Sequence, residues 1–452
     1  MVMIVNIIPN FLSGERNQDS EPSLAVNPAN PLQMAASAFT RDPMGGPNAP
    51  IYVSDDGGRT WSLNSIVPSE IDTGDISPHF GSTTNNLYAG ILRRPGRLQL
   101  NVLRTSTFLQ PNVMTVLENR SGADQPWTQA ATVPSGADAG KDRVYVGNND
   151  LSVDSRTAAI DLSLDAASAN PAFDTARIER RATSGQDGPQ VRPTIHPDGT
   201  IYAAFYGWRS RNVITDLVTA DVVVVRDDNW AAGPDPFTAL VDGGDNVAGV
   251  RVVRGITFPW SNAPTLGQER LGGDLSIAVD PNDSSRVYLA WADQGTAGYT
   301  LHVRQSSDRG ATWGPDLLTI ANAKNPALAI SSASEVGLLY QQVTGTGVNQ
   351  RWETHLRRTV DGRNWNDLLL ATTSAAEPQV VNLPYLGDYA YMMAVGDTFY
   401  GIFSASNRPD LDNFPNGVSY QRNANFITRR LLARDRMTPV PVSIDPFFFR
   451  MP

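Results

Sequence analysis

The chain has 452 residues, with 36 Lys and Arg against 46 Asp and Glu, a net charge of −10. It carries no basic stripe interleaved with aromatics, which excludes the electrostatic footprint of nucleic-acid binding, and no run near the roughly 18 apolar residues a membrane span needs. With no Cys there is no disulfide framework, zinc-thiolate site or cysteine nucleophile, while 37 Gly and 32 Pro suit many short strands joined by turns.

The first segment, Met1 to Phe11, is apolar but lacks Lys and Arg, is broken by Asn6 and Pro9, and offers no small-residue cleavage site. It reads as a strand and not as a signal peptide, which implies a cytoplasmic protein or export by another route. Having no repeat of its own, Ile4 to Ile8 is expected to close a ring by pairing beside the last repeat.

A repeat follows. Ala25-Val26-Asn27-Pro28 leads into Met34-Ala35-Ala36, and Ala278-Val279-Asp280-Pro281 leads into Val287-Tyr288-Leu289-Ala290. Both read as strand, tight turn, strand. Five further segments share the second half of the pattern, around Tyr88, Tyr145, Tyr202, Leu339 and Tyr400, making seven copies. Their spacing is about 50 to 60 residues, with one interval near 86, in the range of four-stranded propeller blades. The pattern predicts one all-β domain over residues 1–452, a β-propeller of seven four-stranded blades, with six as the alternative. The long interval predicts an insertion around 233–267, rich in Gly, Pro and Asp. Within it, Asp242-Gly243-Gly244-Asp245-Asn246 lacks the remaining spacing of a calcium loop and reads as a solvated turn.

Residues just before each inner strand are expected at the axial mouth. They are Glu21, Asp75, Asp124, Arg192, Asp274, Lys324 and Asp388. A ring of mainly carboxylates suits a cation such as Ca2+ or a polyhydroxylated ligand, and serves equally to cap strand ends. The four histidines, His79, His196, His302 and His355, are scattered without a His-Glu-x-x-His pattern. No phosphate-cradling Gly loop and no Gly-x-Ser-x-Gly elbow occurs.

Ser54 to Trp61 and Ser306 to Trp313 both fit Ser-x-Asp-x-Gly-x-Thr-Trp without a mismatch. Arg358 to Trp365 is a degenerate third copy, and Arg226 to Trp230 a remnant of a fourth. The pattern resembles the Asp-box, or bacterial neuraminidase repeat, of sialidases and related propellers. The resemblance implies peripheral hairpin turns remote from any active site, so Ser54, Asp56, Gly58, Trp61, Ser306, Asp308, Gly310 and Trp313 are expected to be structural. Sialidases also use three arginines on the substrate carboxylate, a Tyr nucleophile polarised by a Glu, and an Asp acid/base. By resemblance, Arg41 and Asp42 stand in the first-blade segment, Tyr389 in the nucleophile segment, and Arg192 and Arg304 add positive charge. The chain departs from that pattern at Glu21-Pro22-Ser23, where the family carries an arginine; a carboxylate there repels sialic acid. The leading expectation is therefore a glycan-directed recognition module with its ligand at the mouth. A retaining exo-glycosidase of sialidase type and a protein-binding scaffold are the alternatives.

Overall fold

The computed structural model describes all residues except 41–49, 69–72, 94–96, 153, 155–156, 184–189, 261–273, 296–297 and 379–384. Among the described residues the strands form seven antiparallel blades around one axis. The inner strands are Ser20–Val26, Thr73–Phe80, Ala123–Thr132, Arg192–Ile195, Leu275–Asp280, Ala323–Ile330 and Tyr391–Val395. No helix among these residues is long and apolar enough to cross a membrane.

All seven repeat markers fall on the second strand of a blade, such as Tyr145 within Asp142–Asp150 and Tyr202 within Ile201–Asn212. The recurrence of Tyr there has a physical reason. The ring is buried, and in three blades its hydroxyl reaches the next blade: Tyr88 donates to Asp142 (2.8 Å), Tyr145 to the Trp230 carbonyl (2.8 Å) and Tyr202 to the Ser284 carbonyl (2.6 Å). Each such Tyr fills the interblade core and satisfies its one polar atom across the seam. The small residues beside it are required by close approach: a Cβ on Gly147 would lie 2.5 Å from the Val191 carbonyl of the following blade.

The N-terminal strand Met3–Asn6 closes the ring, pairing antiparallel with Ile444–Met451 of blade 7 (Ile4 opposite Phe449, Val5 opposite Phe448). Ile7 and Ile8 lie beyond that strand but are fully buried. The 86-residue interval is resolved within blade 4: Val250–Pro259, inside the 233–267 stretch, is the blade's fourth strand, and the chain from 228 to 249 is the loop leading to it. Residues 261–273 are outside the described set. A second elaboration, with no counterpart in the sequence reading, spans 407–443 between the second and third strands of blade 7 and carries the hairpin Asn423–Asn425 with Arg430–Leu432.

Both Ser-x-Asp-x-Gly-x-Thr-Trp segments are turns joining third and fourth strands, in blades 1 and 5. Their bonding is the same. Ser54 and Ser306 donate to Asp56 and Asp308 (2.9 and 2.8 Å), the Thr60 and Thr312 hydroxyls donate to the same carboxylates (2.7 and 2.6 Å), and the Trp61 and Trp313 indoles donate to the Gly58 and Gly310 carbonyls (3.1 and 3.2 Å). Gly58 is left-handed (φ 82°) and a Cβ there would lie 2.2 Å from Phe448, so only Gly fits. Trp61 is buried edge-on against Phe448 of blade 7, at 5.4 Å between ring centres. The degenerate segment repeats the turn with Thr359 and Asp361, bonded at 3.0 Å.

Candidate binding site at the axial mouth

Strand directions alternate, so the starts of the inner strands share one face of the disc and the Ser-x-Asp turns lie on the other. The inner strands open irregularly. Register shifts interrupt four of them at their starts, between Ser20 and Ser23, Thr73 and Ile76, Asp124 and Trp127, and Lys324 and Ala327. In three of these bulges a non-glycine residue is left-handed, Glu21 (φ 50°), Gln125 (φ 54°) and Asn325 (φ 54°), and each precedes a proline. Such backbone is costly for residues other than Gly, and bulges re-aim side chains, here toward the axis.

The side chains so aimed meet around Arg192. Its guanidinium lies 3.8 Å from the ring centre of Trp127 and 5.6 Å from that of Tyr389. It donates to Asp274 at 3.4 Å, and Asp274 also accepts from the Leu275 amide at 2.8 Å. Tyr389 donates to Asp75 at 3.1 Å, and its ring meets Trp127 edge-on at 5.4 Å. Tyr385 donates to Glu21. Trp127, Tyr385 and Tyr389 are partly exposed, whereas Glu21, Asp75, Arg192, Asp274, Lys324 and Asp388 are buried. Below them an axial cavity of about 370 Å³ runs between the inner strands, bounded at this end by Trp127, Arg192 and Asp274 and walled by Ala, Ile and Met side chains.

Burial governs the protonation of this cluster. It pushes the Asp274 carboxyl up to about 7, against the pull of Arg192. It lowers the Arg192 pKa as well, so desolvation of the pair outweighs its attraction. Tyr389 is raised well above the ordinary phenol range, first by burial and then by the charges of Asp75 and Glu21. Its phenol therefore stays protonated and serves as a hydrogen-bond donor.

The structure brings together Tyr389, Arg192, Glu21 and Asp274, with Asp388 close enough to raise Asp274 electrostatically. Asp124 stands at the bulge of blade 3 and accepts from the Gln125 amide at 2.8 Å. Arg304 is elsewhere: it sits on the third strand of blade 5, bonded to Asp316 (2.6 Å) and the Val252 carbonyl (3.2 Å). Arg41 and Asp42 lie outside the described residues. Among those described, the axial carboxylates do not gather three oxygens at cation-binding spacing, so the expected Ca2+ place at the mouth has no such set. Sequence reasoning missed Trp127 and Tyr385 as site residues. The recurring charged-residue, polar residue, Pro order at the bulges (Asp124-Gln125-Pro126, Lys324-Asn325-Pro326) was the available signal.

The sequence matches no family model and no curated protein. Among solved structures it is similar to an ulvan lyase of polysaccharide lyase family PL25, at 9% identity and a TM-score of 0.51, covering 88% of this chain and 92% of that one. It also matches the α-L-arabinofuranosidase arb93a from Fusarium graminearum (11%, 0.45, 99% and 97%) and the phage phi92 endosialidase (12%, 0.43, 100% and 69%). At these identities the likeness is one of fold alone.

Proposed function

We propose that the protein is a glycan-directed recognition module of the sialidase-like Asp-box propeller type, with its ligand at the axial mouth. One observation carries this reading: the partly exposed Trp127 and Tyr389 rings meet over a single buried guanidinium, inside a set of carboxylates. Aromatic faces beside fixed acceptors suit the apolar faces and hydroxyls of a sugar. The excess of carboxylates disfavours an acidic sugar and favours a neutral one. Screening the purified protein against neutral and sialylated oligosaccharides tests this. Binding confined to neutral members is expected, and selective binding of sialylated ones would refute the preference.

The Tyr389–Asp75 hydrogen bond favours a second reading, a retaining glycosidase in which Asp75 takes the phenol proton as Tyr389 attacks. The raised phenol pKa opposes it. Release of 4-methylumbelliferone from its sialic-acid conjugate, abolished by Tyr389→Phe, would establish that reading in place of the first.

A further inference from the structure

A second cluster of ionisable groups lies away from the axis, where the ring closes. Glu15 and Asp19 stand on the segment entering blade 1, and Asp445 on the third strand of blade 7; one oxygen from each lies within 4.8 Å of the others. All three side chains are buried, Asp19 at 1% and Asp445 at 0% exposure. Arg422, delivered by the 407–443 elaboration, is the cation in contact, bonded to Asp445 at 2.8 Å and 3.8 Å from Glu15. It also donates to the Ser13 and Glu15 carbonyls, and Asn6 of the closing strand donates to Asp445 at 2.8 Å. One guanidinium against three carboxylates leaves two negative charges uncompensated.

The second observation is a set of unanswered oxygens. Asp445 has partners on both oxygens, but among the described residues neither carboxylate oxygen of Asp19 reaches a hydrogen-bond partner, nor does Oε2 of Glu15. The Tyr52 hydroxyl, from the third strand of blade 1, is fully buried within the field of these carboxylates and also lacks a partner. The Thr40 hydroxyl stands near Asp19 without reaching bonding geometry. Buried oxygens are rarely left so, and each costs free energy unless something fills the space between them.

We infer that Glu15, Asp19 and Asp445, with the Tyr52 and Thr40 hydroxyls, form a site for a hard divalent cation of the Ca2+ class that staples the N-terminal segment to blade 7. The donor set is all oxygen, which excludes soft-metal preference. Oxygens within 4.8 Å of one another are close enough to share one cation, and a mixed set of carboxylates and hydroxyls from separate segments suits the flexible coordination of Ca2+ better than the near-ideal octahedron that Mg2+ demands. A charge of +2 balances the excess.

The test uses the full chain, stripped with EDTA and then melted with and without millimolar CaCl2, alongside Asp19→Asn. Asp19 is the informative position because its carboxylate makes no ion pair with Arg422, so its amide variant keeps the Arg422–Asp445 pair. The wild type is expected to melt at least about 3 °C higher with Ca2+, and to sensitise Tb3+ emission through Tyr52 that Ca2+ displaces. Asp19→Asn is expected to fold, to melt at one temperature in both buffers and to lose the Tb3+ signal. A wild type indifferent to Ca2+, or a shift that persists in Asp19→Asn, would overturn the site; a larger shift with Mg2+ than with Ca2+ would overturn the choice of ion.

Discussion

The Ser-x-Asp turns and the axial mouth use the same side chain for opposite ends. Partial burial pushes the carboxyls of Asp56 and Asp308 up, but the hydrogen bonds from Thr60 and Ser54, and from Thr312 and Ser306, outweigh it and hold both below the usual range. Asp274 at the mouth is more deeply buried, has fewer donors, and is pushed up to about 7. The turns are thus carboxylates answered locally, within eight residues, whereas at the mouth the side-chain partners come across blades, Arg192 to Asp274 and Tyr389 to Asp75. The difference separates carboxylates that stabilise a single turn from groups whose state depends on the assembly of the ring.

The comparison can be broken first at Trp61. Trp61→Ala removes a buried indole packed on Phe448 and should cost about 3–5 kcal/mol in urea unfolding. Trp313 is only partly buried, so Trp313→Ala should cost less, about 2 kcal/mol. Neither should change ligand affinity in the folded fraction. Equal costs, or a loss of binding at unchanged stability, would dissolve the distinction between scaffold and site.

A pH series sharpens the same contrast through its sign. Asp308 is depressed in the fold, so its contribution is present above about pH 4 and is lost as pH falls through its folded pKa. Asp274 is raised, so its contribution is present below about pH 4 and is lost as pH rises toward 7. Measured by urea midpoints, the wild type should lose stability relative to Asp274→Asn between about pH 4 and pH 7. Relative to Asp308→Asn it should lose stability only on the acid side of about pH 4. Parallel curves for both variants would contradict the opposed environments.

The smallest effect is expected at Tyr389. Tyr389→Phe deletes one hydrogen bond to Asp75 at a partly exposed position and should cost about 1 kcal/mol or less. A much larger cost would make the Tyr389–Asp75 pair a structural tie and not a surface poised for a ligand.

What the sequence made legible follows the same division. The turns could be read because Ser54, Asp56, Gly58 and Trp61 find their polar partners inside one octapeptide, and the blades because Tyr88, Tyr145 and Tyr202 each repeat one interblade task. The mouth could be read only as a collection of strand starts. Tyr389 and Asp75 are 314 residues apart, and nothing local in either segment specifies that they meet. The choice of Asp75 among the candidates depends on ring geometry. Arg304 was misleading because a strand position near a box does not reveal its distance from the axis. The 407–443 elaboration carries no repeat marker, so the placing of Arg422 at the closing seam could not be anticipated.

The most direct measurement is calorimetric titration of a neutral oligosaccharide into wild type, Trp127→Ala and Asp308→Asn. The account predicts that Trp127→Ala weakens binding about tenfold or more, while Asp308→Asn, on the opposite face of the disc, binds as the wild type does. Unchanged affinity in Trp127→Ala, or affinity lost in Asp308→Asn, would place recognition away from the mouth and contradict it.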